Sequence, residues 1–215
     1  MTARIPLQHA EMLASRLIQL LHPCCERIEV AGSIRRRRPY VKDIELVAIP
    51  RIETGEVIHQ ASMFGTTSSA MAVSTNLLDE RLTNLVQHNP AIREPLMAGE
   101  RRWGARYKKL EVEVKKGSDS WLKVDLFSTS ADQWGLIYLL RTGPADFSKY
   151  VVTRAEQGGP LPPGWRVAGG WLRKNGEKYL IPEEVDVFEV LGYAWRPPSE
   201  REDWRTWMTL GRVER

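Results

Sequence analysis

The sequence predicts an α+β fold, and three observations carry that prediction. Its 215 residues are 42% hydrophobic and 27% charged, the range of an ordinary globular chain with enough length for one core or two small lobes. Strand signals dominate the first part of the chain, helix signals follow, and a small mixed region comes last. The change falls between Ser130 and Thr142, which marks the boundary between two lobes.

The elements follow in order. Leu7, Ala10, Met12, Leu13, Leu17, Ile18, Leu20 and Leu21 fall mostly at three-to-four spacing between Pro6 and Pro23, so residues 7–21 form a first helix. Residues 26–31 and 43–49 are short and β-rich, and residues 32–42 join them as a basic turn containing four arginines and Pro39. Residues 51–76 are rich in Gly, Ser, Thr and other small residues without a sustained period, and read as a long loop. A helix over 77–86 precedes strands over 92–97 and 106–115, joined by a turn at Ala98-Gly99, and a further strand over 121–127. Residues 131–140 and 145–157 are helical, split at Thr142-Gly143-Pro144, where Gly closes one helix and Pro opens the next. Strand character returns over 165–172 and 178–181, a last helix over 182–191 ends at Gly192, and the tail is rich in Arg, Glu and Trp. No internal repeat is present.

Charge and cysteine content narrow the function classes. Lys and Arg total 31 against 27 Asp and Glu, a net charge of +4 that permits a polyanionic partner without requiring one. Cys24 and Cys25 are adjacent, so they make no disulfide framework, and no spaced Cys/His set suggests zinc. No apolar run approaches the ~18 residues of a spanning helix, and the N-terminal segment lacks a signal-peptide apolar region. A soluble, cytoplasmic protein without a membrane partner is the expectation. Among the eight tryptophans, Trp134, Trp165 and Trp171 lie in apolar patterns suited to packing. Arg101, Arg102, Arg106, Lys108 and Lys109, interleaved with Trp103 and Tyr107, form the best basic-aromatic cluster for a DNA backbone, with a solvated strand face as the alternative.

The most informative stretch is Gly32-Ser33-Ile34-Arg35-Arg36, followed eleven residues after the glycine by Asp43-Ile44-Glu45. On a strand, Asp43 and Glu45 share one face while Ile44, Leu46 and Ala48 take the other. On the later strand, Trp121, Lys123, Asp125 and Phe127 share a face opposite Leu122, Val124 and Leu126. If the two strands are neighbours, three carboxylates meet, and hard divalent cations relieve the resulting repulsion. A Gly-Ser turn beside them offers backbone N–H groups and a hydroxyl for phosphate oxygens, and Arg36 adds a planar fork. A nucleoside triphosphate suits that set.

These residues resemble the nucleotidyltransferase superfamily typified by DNA polymerase beta, and specifically the family X DNA polymerases. The resemblance extends to Arg4-Ile5-Pro6, to Lys123-Val124-Asp125-Leu126, and to Thr142-Gly143 with Phe147 and Lys149. It continues through residues 187–192 and 196–201 (VFEVLG and RPPSER), spans nearly the whole chain, and is weakest over 51–100. It implies a palm over 1–130, whose mixed β-sheet carries the acidic triad, and a smaller C-terminal α+β thumb over 131–215. It further implies two divalent ions, Mg²⁺ or Mn²⁺, on Asp43, Glu45 and Asp125, with Asp125 also taking the proton of a primer 3′-hydroxyl. Gly32, Ser33, Arg36, Gly143 and Ser148 would bind a dNTP, and Lys149, Arg102 and Arg106 would contact DNA.

Several positions depart from that pattern. Glu45 stands where family X polymerases usually carry Asp, which leaves Mg²⁺ or Mn²⁺ preference open. Leu140 and Arg141 replace the aromatic residues that screen the sugar's 2′ side, and Val152 replaces a minor-groove arginine. The chain begins at the palm, so no lyase or helix-hairpin-helix domain is expected. The implied activity is templated addition of deoxynucleotides in gapped or primer-template DNA during repair, with a DNA-ligase or end-binding partner. A template-independent terminal transferase, a small-molecule nucleotidyltransferase and an inactive nucleic-acid-binding module are the alternatives.

Overall fold

The computed structural model describes residues 4–59, 69–96 and 102–209. Strand β1 (Ile5–Pro6) leads into helix α1 (Leu7–Leu21), whose Ala10, Leu13, Ala14, Leu17 and Leu21 form one buried stripe. A 3₁₀ turn at His22–Cys24 ends it, and strand β2 (Cys25–Val30) follows. Both cysteines are free, and the Cys25 thiol packs in the core, where burial pushes its pKa up to about 12 and leaves it inert.

Residues 32–42 form more than a turn. Gly32–Arg35 is a short helix, α2, and Tyr40–Val41 is a strand, β3, that pairs with β1. Strand β4 (Asp43–Pro50) then runs through the core, with Ile44, Leu46 and Ala48 fully buried.

The expected loop over 51–76 is instead a hairpin, β5 (Ile52–His59) and β6 (Ser69–Asn76), paired from Ile52↔Asn76 to His59↔Ser69. Among the described residues its strands pair with each other and with no other strand, and residues 52–55 and 72–74 are exposed on both faces. A hydrophobic period of two appears only where one face is buried, so backbone pairing leaves no such trace in this sequence.

Helix α3 (Leu77–His88) is capped by the Asn76 side chain, which accepts from the Asp79 backbone N–H at 3.1 Å. Strand β7 is only Ile92–Arg93, shorter than expected, and the turn at Ala98-Gly99 lies outside the described residues. Strands β8 (Tyr107–Glu113) and β9 (Trp121–Ser128) complete a mixed five-stranded sheet ordered β2-β4-β9-β8-β7, in which β4 and β9 are parallel.

A 3₁₀ turn leads into α4 (Trp134–Thr142), and Gly143 and Pro144 separate it from α5 (Ala145–Val151). The helix expected to reach residue 157 stops at Val151, with a separate 3₁₀ turn at Ala155–Gln157. Strands β10 (Trp165–Ala168), β11 (Trp171–Lys174) and β12 (Glu177–Tyr179) form a small antiparallel sheet. Helix α6 (Glu184–Leu191) ends at Gly192 in the left-handed region, and the tail folds into a 3₁₀ segment (Pro198–Asp203) and α7 (Trp204–Thr209).

The architecture is therefore α+β. One hydrophobic cluster gathers residues 5–126 around α1, α3 and one sheet face, and a second gathers residues 136–208. A third joins them: Val47, Ile49 and Phe127 on the other sheet face pack against Trp134 and Tyr138 of α4. No helix among the described residues is long and apolar enough to cross a membrane.

Candidate nucleotide and metal site

The acids occupy the part of that second sheet face that α4 leaves open. Register places Glu45 directly beside Asp125 and Asp43 beside Lys123 on adjoining parallel strands. Period-two alternation sends all three carboxylates to one face, while Leu122, Val124 and Leu126 are fully buried on the other. Burial, then the charge of Asp125, pushes the Asp43 pKa up. Burial, then Asp43 and Asp125, pushes Glu45 up to about 7. Asp43 thus senses the charge of Asp125, and Glu45 senses the charges of both.

Gly32 makes this packing possible. Its φ is +60°, and a Cβ there would overlap the Glu45 carboxylate, so both the backbone conformation and the space exclude a side chain. Ala31 N–H donates to the Glu45 carbonyl at 2.8 Å, which docks the start of α2 onto β4.

Two cavities flank the acids. One of about 220 Å³ is lined by Arg4, Ser33, Arg36, Arg38, Tyr40, Lys42 and Asp43, a basic set around one acid. Within it, Ser33 Oγ is buried and has no hydrogen-bond partner among the described residues. The other, of about 570 Å³, is lined by Glu45, Asp125, Arg106, Tyr107, Phe127 and Arg141 with parts of α4 and Gly170. Gly32, Ser33, Asp43, Glu45 and Asp125 are thus brought together.

The remaining predicted residues divide. Arg36 donates through Nε to Glu202 at 2.9 Å and through Nη1 to the Thr142 and Gly143 carbonyls, so the C-terminal region holds it. Gly143 is required by close approach to α5, since a Cβ there would overlap the Phe147 ring and come within 3.1 Å of Ser148 Oγ. The Ser148 hydroxyl donates to the Leu140 carbonyl at 2.7 Å and so closes the α4–α5 corner. Lys149 and Arg102 are exposed and line neither cavity; exposed Arg106 lines the larger one and donates to the Gly169 carbonyl at 2.9 Å.

The basic-aromatic cluster needs one correction. Lys108 is buried, ion-paired to Asp79 at 2.6 Å and donating to the Gly104 carbonyl, because it shares the inward face of β8 with Leu110 and Val112. It cannot meet a DNA backbone, and Arg101 lies outside the described residues. Trp134 is fully buried between the sheet and α4, and Trp165 packs against the second cluster, in line with a packing role.

Sequence reasoning missed Tyr107 as part of the site. Its hydroxyl donates to Asp125 Oδ1 at 2.5 Å, and burial together with that bond pushes the phenol pKa up, so it is a donor at neutral pH. Arg141 stands out in the sequence only as a departure from the family pattern, yet its charge lies near enough to lower the Glu45 pKa.

Among the described residues, no group of three or more His, Cys, Asp or Glu side chains stands arranged to hold a metal ion. In chemical kind the donors fit a hard divalent cation, being crowded carboxylate oxygens whose mutual repulsion a cation would relieve. The Ser33 hydroxyl, without a partner among the described residues and set in a basic cavity, fits a phosphate oxygen. No model of a known protein family matches the chain, and no curated protein matches it.

Proposed function

We propose that this chain is a nucleotidyltransferase of the family X DNA polymerase type, adding deoxynucleotides from dNTPs to a primer 3′-hydroxyl in short gaps or at ends during repair. The observation that carries the reading is the juxtaposition of Glu45 and Asp125, with Asp43 on the same face and the basic Ser33–Arg36 cavity adjoining it. Residues 1–130 would form the palm and 131–215 the thumb of such an enzyme.

The dNTP triphosphate would enter the 220 Å³ cavity, its β- and γ-phosphates on Ser33 and Arg36. Two Mg²⁺ or Mn²⁺ ions held by Asp43, Glu45 and Asp125 would supply electrostatic stabilisation of the attacking and leaving oxygens. The primer oxygen bonds to the α-phosphorus as the bond to pyrophosphate breaks, and its proton passes to Asp125 directly or through water. Gly143 would lie near the sugar, and Lys149, Arg102 and Arg106 would meet the phosphate backbone. Positioning and charge supply most of the acceleration in such a reaction. A cytoplasmic setting beside the nucleic acid, with a DNA-ligase or end-binding partner, belongs to the same reading.

One observation favours a second reading, template-independent terminal transfer. Val152, at the position where the resemblance expects a minor-groove arginine, packs against the hydrophobic cluster of residues 136–208.

Extension of one labelled primer, free, templated and in a one-nucleotide gap, tests both. The expected result is complement-dependent addition with Mg²⁺ or Mn²⁺ that is lost in Asp125→Ala. Addition indifferent to template would select the second reading, and no addition under any condition would overturn both.

A further inference from the structure

A layered stack ends on the third carboxylate. The Arg141 guanidinium carbon lies 3.9 Å from the centroid of the Phe127 ring. That ring in turn lies 4.9 Å from the Tyr107 ring, with 14° between their planes. The Tyr107 hydroxyl then donates to Asp125 Oδ1 at 2.5 Å. The three layers come from α4, β9 and β8. Tyr107 pairs in register with Phe127, so its hydroxyl reaches along the face to Asp125, two residues earlier on β9.

The stack and the hydrogen bond are separable. Stacking needs only the ring, which phenylalanine would also supply, whereas the hydroxyl touches one named oxygen of one carboxylate. Phe127 is 9% exposed and contributes to the cluster joining sheet and α4, so the layer rests on packed structure. A carboxylate on an open strand face otherwise turns freely about its last bond, and a fixed donor on one oxygen orients the other.

We propose that Tyr107 is the positioning residue for Asp125, holding Oδ1 by its hydroxyl so that Oδ2 faces the reacting groups. The inference rests on the nucleotidyl-transfer reading. Tyr107 lines the larger cavity beside Glu45 and Asp125, and the phosphate cavity is lined by other residues. Loss of its hydroxyl therefore lowers kcat while KM for the nucleotide stays constant.

The test compares the wild-type chain with Tyr107→Phe, Phe127→Leu and Asp125→Asn. Mn²⁺ binding to the nucleotide-free protein is measured by electron paramagnetic resonance, beside primer extension and thermal melting. Outer-shell partners of ligating groups are commonly worth about 10–100-fold in metal affinity or activity. Tyr107→Phe is expected to weaken Mn²⁺ binding and kcat within that range, at unchanged nucleotide KM and melting temperature. Phe127→Leu, which keeps the hydroxyl but loosens the stack, is expected to act in the same direction by less. Unchanged Mn²⁺ binding and kcat in Tyr107→Phe would overturn the proposal, as would losses that merely follow a lowered melting temperature. If the wild type extends no primer, yet Tyr107→Phe weakens Mn²⁺ binding toward the level of Asp125→Asn, the polymerase reading fails and the positioning role stands.

Discussion

Ser33 Oγ is buried, lines the basic cavity and makes no hydrogen bond within the described residues, so its removal separates binding from folding. A desolvated hydroxyl without a partner stabilises nothing, and Ser33→Ala is expected to leave the melting temperature unchanged or slightly raised. Its loss from a bound phosphate removes a hydrogen bond to a charged group, worth about 1.5–3 kcal/mol, so nucleotide KM should rise roughly tenfold or more. Steady-state kinetics beside a thermal melt reads both quantities, and an unchanged KM would remove Ser33 from the site. At this scale much was legible. That Asp43 and Glu45 share a face follows from the two-residue period of a strand, whereas Asp125 joins them only through the parallel pairing of β4 and β9. The Tyr107–Asp125 bond was not legible, because it depends on which residues of β8 and β9 stand opposite each other. Lys108 misled for a related reason: a lysine on an inward strand face reads as a solvated charge until its partner, Asp79 on α3, is known.

Among the elements, the 3₁₀ segment Pro198–Asp203 has a role that the composition of the tail did not announce. It places Glu202 against Arg36 at 2.9 Å and against Arg38 at 3.7 Å, beside the cavity proposed for the triphosphate. A carboxylate thus occupies an edge of the guanidinium that the proposal assigns to phosphate oxygens. Glu202 is partly exposed, so the pair is worth at most about 1 kcal/mol, equivalent to roughly fivefold in an equilibrium constant. Glu202→Ala is expected to lower nucleotide KM by up to about that factor with little loss of stability. A raised KM in a nucleotide titration would mean that Glu202 instead holds Arg36 in its binding pose. The elements easiest to read were those with one buried face, such as α1, β4 and β9. The β5–β6 hairpin escaped because its pairing comes from backbone hydrogen bonds, with exposed residues on both faces. The short β1–β3 pair escaped because two residues a side are too few to show a period.

Across the whole molecule, one buried ion cluster ties the sheet region to the C-terminal region. Glu184 on α6 accepts from Arg35 at 2.6 and 2.9 Å and from Arg201 at 2.8 and 2.9 Å, and Arg201 is fully buried. A boundary between Ser130 and Thr142 was expected from the order of elements, and this link across it joins residues 149 apart in sequence. Burial alone would raise the Glu184 pKa; hydrogen bonds from Arg201 and Arg35 overcome it and hold the carboxyl at about 2. The folded value is therefore depressed below the unfolded one of about 4.5. Stability from this group is fully present above pH 4.5 and is lost as pH falls from about 4.5 toward 2. The full loss amounts to roughly 3 kcal/mol, since each tenfold change in a protonation equilibrium is worth ~1.4 kcal/mol. Removing the charge should cost about 3–5 kcal/mol at neutral pH, because Arg201 would remain fully buried, and Arg35 half-buried, without this counter-ion. Urea unfolding of wild type and Glu184→Gln between pH 7 and pH 3 is expected to show a gap that narrows below pH 4.5. Because every other titrating group is common to both proteins, the difference between the curves isolates Glu184. Coincident curves would mean that the cluster sets the arrangement of the two regions without contributing to their stability.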